Sequence, residues 1–110
     1  MFRDDRQLAS ACRALLSTAH LERLWTLHGP TAEASELLEA NGGPLSSGER
    51  VMLLAAWAFW NGSGGATLAE VLELDSEPAE ALCFLIMAAK YGADAVDDWI
   101  AEHARAGGTS

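Results

Sequence analysis

Residues 46–65, SSGERVMLLAAWAFWNGSGG, decide the fold class: a capped, almost wholly apolar helix that ends abruptly in glycine. Ser46 and Glu49 have capping-box spacing, in which the serine hydroxyl accepts from the N3 amide and the glutamate carboxylate from the cap amide. Asn61-Gly62 follows the last apolar residue, and either type can take the left-handed conformation that turns the chain away from a helix end. Between these marks Val51 to Trp60 is ten apolar residues without interruption, and a short helix apolar on every side is a buried helix. About twenty such residues would be needed to cross a bilayer, so this is a core element and no span. At about 100° per residue, Leu53, Trp57 and Trp60 form a bulky ridge that should fill a core. Val51, Ala55 and Ala58 form a strip of small side chains that lets another helix come close. The rest of the chain is expected to pack around this element.

Toward the C-terminus, Gly62-Ser63-Gly64-Gly65 reads as a flexible turn. Thr67 and Glu70 repeat the capping-box spacing and open a short helix from Leu68 to Leu74, with Leu68, Val71 and Leu72 on its buried side. Ser76 as cap and Pro78 in the first turn start another helix. That helix contains a second unbroken apolar run, Leu82 to Ala89, the expected partner of the central helix. Tyr91-Gly92 closes it. Asp94 with Asp97 opens the last helix, to about Ala104, with Val96, Trp99, Ile100 and His103 inward and Asp94, Asp98 and Glu102 outward. Gly107 to Ser110 reads as a disordered tail.

Toward the N-terminus, Asn41-Gly42-Gly43-Pro44 is a stop, and Thr31 caps a segment from Ala32 to Ala40 with Ala34, Leu37 and Leu38 inward. Asp4 or Asp5 caps a first helix whose apolar face is Leu8, Ala11, Cys12, Leu15 and Leu16. The phase shifts near Ser17-Thr18, where a break or bend is expected. Leu21, Leu24, Trp25 and His28 then form a second helical face, ended by Gly29-Pro30. No stretch shows sustained period-two alternation, so no strands are expected. The fold class is all-α: one domain, residues 1–106, of about six helices, with two nearly all-apolar helices (about 47–60 and 78–90) in the core.

Half of the 110 residues are hydrophobic, which argues against disorder despite a net charge of −9. The charge is uneven: residues 1–50 carry seven acids and five arginines, whereas 51–110 carry nine acids against Lys90 and Arg105. Such a surface repels nucleic acid and anionic lipid, so neither direct nucleic-acid binding nor membrane association is expected. Cys12 and Cys83 fall within apolar helical patterns and read as reduced, buried residues. MFRDDRQ lacks the apolar core of a signal peptide, and the expected location is cytoplasmic.

No constellation carries recognisable chemistry. His20, His28 and His103 lack metal-ligand spacing, and no metal or cofactor is expected. His28 and His103 read more simply as helix-end cations. The acidic pairs lie on solvated faces, where acid/base groups are not perturbed. The NGSGGAT turn lacks a P-loop lysine and follows no strand. The pattern is similar to that of small bacterial helical proteins, with no motif that ties it to a family. The four tryptophans supply the functional hint, because Trp is enriched in interface hot spots. The expectation is a non-enzymatic protein-protein interaction module, an adaptor, small subunit or inhibitor. It would bind a protein partner, basic in one version, through an apolar and aromatic surface with an acidic surround. The candidate partner-binding residues are Trp60, Asn61, Ser63, Glu70, Glu73, Asp94, Asp98 and Glu102. Two rivals stand beside it: an acidic nucleic-acid mimic that inhibits a nuclease or DNA-binding protein, and an enzyme, which would need a concave pocket holding buried carboxylates or histidines. The two apolar helices also raise a homodimer that covers them.

Overall fold

The computed structural model describes residues 1–108. Its elements in order are α1 (Asp5–Ser17), a single 3-10 turn (Glu22–Leu24), β1 (Trp25–Thr26), β2 (Gly29–Pro30), α2 (Ala32–Glu39), α3 (Ser47–Asn61), α4 (Leu68–Leu72), α5 (Ser76–Tyr91) and α6 (Ala93–Gly108). The chain is an all-α domain with one minimal hairpin, and no described helix is long and apolar enough to cross a membrane. Of the expected disordered tail, Gly107 and Gly108 belong to α6, and Thr109 and Ser110 lie outside the described residues.

Local hydrogen bonding sets the helix starts as the sequence implies. Asp4 accepts from the Gln7 amide at 2.8 Å and caps α1, and Thr31 caps α2. Ser46 and Glu49 close a full capping box on α3, with Glu49 N to Ser46 Oγ at 3.2 Å and Ser46 N to Glu49 Oε1 at 2.9 Å. Thr67 and Glu70 do the same on α4. Gly62 takes φ 74°, the left-handed exit from α3. The break after Ser17 is equally local: the hydroxyls of Ser17 and Thr18 turn back onto the carbonyls of Ala14 and Leu15, and His20 follows at φ 60°. For α5 the cap is Asp75, one residue before the expected Ser76, with Pro78 in the first turn.

Packing departs from the sequence reading in four places. First, the shared element is α1, which packs on α3 along one side and on α6 along another, while α6 in turn carries α5. Ala9, Ala11, Cys12, Ala14, Leu15 and Leu16 are all buried, roughly two thirds of the helix circumference at about 100° per residue. Its alanines let neighbours approach from several directions. Helix α3 is buried through Val51, Met52, Leu53, Ala55 and Ala56, but Trp57 to Trp60 are only partly covered.

Second, two strands exist. Residues 21–28 do not form a helix; Trp25 pairs with Pro30 and Thr26 with Gly29 in an antiparallel hairpin. Nucleation makes so short a segment, closed off by His20 and Gly29-Pro30, a weak helix. The hairpin instead buries Trp25, lets Thr26 Oγ1 bond to the Gly29 carbonyl, and gives the Trp25 carbonyl to Arg13 Nε at 3.1 Å. His28 accordingly sits exposed in the turn rather than facing inward at a helix end.

Third, only one side of α5 belongs to the core. Ala81, Leu82, Leu85 and Ala88 are buried, whereas Cys83, Phe84, Ile86 and Met87 are exposed. Its principal neighbour is α6, tied by Trp99 Nε1 to the Ala81 carbonyl at 3.1 Å, and not α3. Fourth, on α4 the expected buried side is exposed: Leu68 is 83% and Leu72 85% accessible, with Val71 half-buried. A five-residue helix held at its start by its own capping box docks through Val71 and the pairing of Glu70 with Arg50, leaving its two leucines outside.

Polar contacts lock the remaining joint. Gln7, buried between α1 and α6, donates to the Ala93 carbonyl at 2.8 Å and to Asp97 at 2.9 Å, and its own carbonyl accepts from the Arg3 amide. Arg3 completes the cluster on Asp97 at 2.6 Å. Its hydrogen bond, then that of Gln7, holds the Asp97 carboxyl below the usual carboxylate range.

Candidate functional site

The exposed large hydrophobic residues concentrate on two neighbouring elements. Besides Met1 and Leu27 they are Leu68 and Leu72 of α4 and Phe84, Ile86, Met87 and Tyr91 of α5. At about 100° per residue, Phe84, Met87 and Tyr91 share one outward strip of α5, and Ile86 lies on the flank toward α4. No charged residue interrupts α5 from Ala81 to Ala89, so its outward arc is as apolar as its buried one. The helix forms a ridge with a cleft on each side.

On one side, a cleft of about 400 Å³ runs between the end of α3, the glycine loop 62–65, α4 and α5. Phe59, Val71, Leu82 and Ile86 line it, with Leu68 at its edge and Ser63 on the loop. Gly65, at φ +118°, lies so close to α3 that a Cβ there would stand 3.1 Å from the Ala58 Cβ. On the other side, a groove of about 610 Å³ lies along the seam where α5 packs on α6. Phe84, Met87, Tyr91 and Trp99 give it apolar walls, and Glu77, Glu80, Asp98 and Glu102 stand around them. At its end the His103 ring stacks on Trp99, centroids 4.2 Å apart, with Nδ1 2.9 Å from the Trp99 carbonyl.

The candidate residues read from the sequence do not form one site. Trp60 is half-buried and covers the hairpin: its indole lies edge-on to Trp25, centroids 6.0 Å apart, and occupies the space where a Cβ on Gly29 would fall. Its surroundings are those of a packing residue. Asn61 and Ser63 are exposed beside the first cleft. Glu70 bonds to Arg50 at 2.5 Å and closes the α4 capping box; the Thr67 amide, then Arg50, lowers its pKa. Glu73 is exposed at the end of α4. Asp94 lies 3.6 Å from Arg3, near the opposite joint. Only Asp98 and Glu102 come together, in the acidic rim of the α5–α6 groove.

Sequence reasoning missed Phe84, Ile86, Met87, Leu68 and Leu72. The available signal was that α5 is too uniformly apolar for periodicity to assign a buried side. Cys83, expected inside, is exposed on α5; Cys12 is buried, donates to the Ala56 carbonyl at 3.4 Å, and has its pKa pushed up to about 12 by burial. Among the described residues no three His, Cys, Asp or Glu side chains gather as a metal site requires. No family model, curated protein or solved structure matches the chain.

Proposed function

We propose that the protein is a non-enzymatic interaction module that binds another protein through the outward surface of α4 and α5. The observation that carries this reading is the grouping of six exposed large hydrophobics on those two helices. A contiguous apolar patch rimmed by polar groups marks an interaction surface, because water leaves it at a gain when a partner covers it. Fully burying a side chain such as Phe, Ile or Met is worth about 1.5–3 kcal/mol. Several half-exposed ones together therefore supply the apolar centre of an interface. The nucleic-acid-mimic alternative is weaker, since Glu70 and Asp94 sit beside arginines and the carboxylates near α5 are interleaved with Phe84, Met87 and Tyr91.

The test is site-specific photo-cross-linking. A photoreactive residue is placed at position 72, 84 or, as a control on α2, 36, and the protein is exposed to lysate of its source. One and the same protein captured from 72 and 84 but not from 36 is the expected result. A second copy of the 11.7 kDa chain in that role would make the interface a homodimer. Capture that is indifferent to position, or absent at 72 and 84, refutes the proposal.

A further inference from the structure

The groove between α5 and α6 has a charge pattern that specifies its occupant. Phe84 is 53% exposed, Met87 48% and Tyr91 80%, so the α5 wall is open to solvent, and Trp99 of α6 faces it. Four carboxylates surround these side chains, Glu77 and Glu80 from α5 and Asp98 and Glu102 from α6. Among the described residues no lysine or arginine lines the groove; His103 is its one basic side chain. From Glu77 to Tyr91 the α5 wall is about 21 Å long at about 1.5 Å rise per residue, room for roughly four helical turns of a partner.

We infer that this groove receives a cationic amphipathic helix of a partner protein, apolar residues at i, i+3, i+4 and i+7 on the floor and Lys or Arg opposite the carboxylates. The inference rests on the interaction reading above and adds to it the place and the chemistry of the partner. Helix-in-groove recognition needs an apolar trough of this kind, and Met87 supplies a side chain that adapts to different anchors. Charge selects among apolar occupants. A neutral helix leaves four carboxylates beside a surface losing its water, and a second copy of a chain with net charge −9 brings more acid to the same place. Like-charge juxtaposition suppresses such partners, whereas a basic helix turns the rim into a source of attraction and faster encounter.

The experiment uses the whole protein and three labelled synthetic peptides of roughly 16 residues, about four turns, followed by fluorescence anisotropy. One is a Leu/Lys peptide with helical leucine spacing. The second has the same composition scrambled, and the third replaces every Lys by Glu. Saturable binding of the first alone is expected, weakening when NaCl rises from about 50 to about 500 mM because the rim charges are then screened. The double variant Glu80→Lys/Asp98→Lys should bind the Leu/Lys peptide roughly tenfold more weakly and should gain affinity for the Leu/Glu peptide. That gain keeps the test valid, since a misfolded variant would lose both. Phe84→Ser should abolish binding of the Leu/Lys peptide, with Leu27→Ser, on the exposed hairpin turn away from α4 and α5, leaving it unchanged. Equal binding of the scrambled peptide, indifference to the charge reversal, or no binding of the Leu/Lys peptide overturns the inference. Capture of a partner by cross-linking from positions 72 and 84 would in that case leave the broader interaction reading standing.

Discussion

Gly29→Ala should be among the most damaging single-methyl additions in this protein. Gly29 has φ +124°, a conformation L side chains rarely adopt, and a Cβ placed there would stand 2.8 Å from Trp60 Cζ2 and 3.2 Å from its neighbours in the ring. Holding alanine in a sparsely populated region costs about 1–3 kcal/mol. Carbon atoms pack best at roughly 3.5–4.0 Å, so the indole must also retreat by nearly an ångström from a position braced edge-on to Trp25. Overpacking of that kind costs about 1–3 kcal/mol, for a combined loss of about 2–6 kcal/mol. At a slope of about 2 kcal/mol/M, the middle of the usual range for urea, the midpoint read by far-ultraviolet circular dichroism should fall by about 1–3 M. The two contributions separate in a double-mutant cycle with Trp60→Leu, which shortens the side chain over the hairpin. In that background Gly29→Ala should lose only the backbone part, about 1–3 kcal/mol. An equal loss in both backgrounds would refute the contact between Trp60 and Gly29. No loss in either would refute the hairpin itself, and with it the assignment of Trp60 to packing.

Thiol titration of the native protein with Ellman's reagent should find one reactive group, Cys83, and Cys12 should react only after denaturation, because burial pushes its pKa up to about 12. Leu53→Ala, at a fully buried position, should cost about 2–5 kcal/mol, whereas Leu72→Ser should change stability by less than about 0.5 kcal/mol; urea midpoints compare them, and similar losses would contradict the exposure of α4. Asp97→Asn should lower stability at neutral pH and converge with the parent protein on acidification. The folded-state pKa of Asp97 is depressed by Arg3 and then Gln7, so its contribution is present above the ordinary carboxylate range and is lost as pH falls through the folded value. A difference between the two proteins that is constant across that range would rule this linkage out.

How much of this was legible follows from where each signal resides. Asp4, Thr31, Ser46 with Glu49, and Thr67 with Glu70 announce helix starts because a cap is satisfied within four residues of itself. The break after Ser17 is of the same kind, two hydroxyls returning to carbonyls one turn back. On α6, alternation of Val96 and Trp99 with Asp94, Asp98 and Glu102 carries its own orientation, and the structure keeps it. The acidic half of the proposed groove was therefore readable as an outward row of carboxylates. Its apolar half was not, since Phe84 and Met87 look the same in sequence as Leu82 and Leu85.

The sequence by itself determined the all-α class, most helix boundaries and the acidic exterior, all of which depend on interactions between near neighbours in the chain or on composition. Only the tertiary structure decided which sides of the apolar helices meet water. A helix apolar all round gives no preferred direction, so its orientation is set by competition among neighbours. Here α1, lined with Ala9, Ala11 and Ala14, accepts partners on several sides and becomes the shared core element. Helix α5 is left packed along α6 with Phe84, Ile86 and Met87 uncovered. The hairpin at Trp25 arose in the same way, from the burial of Trp25 and its link to Arg13 overriding a weak helical pattern.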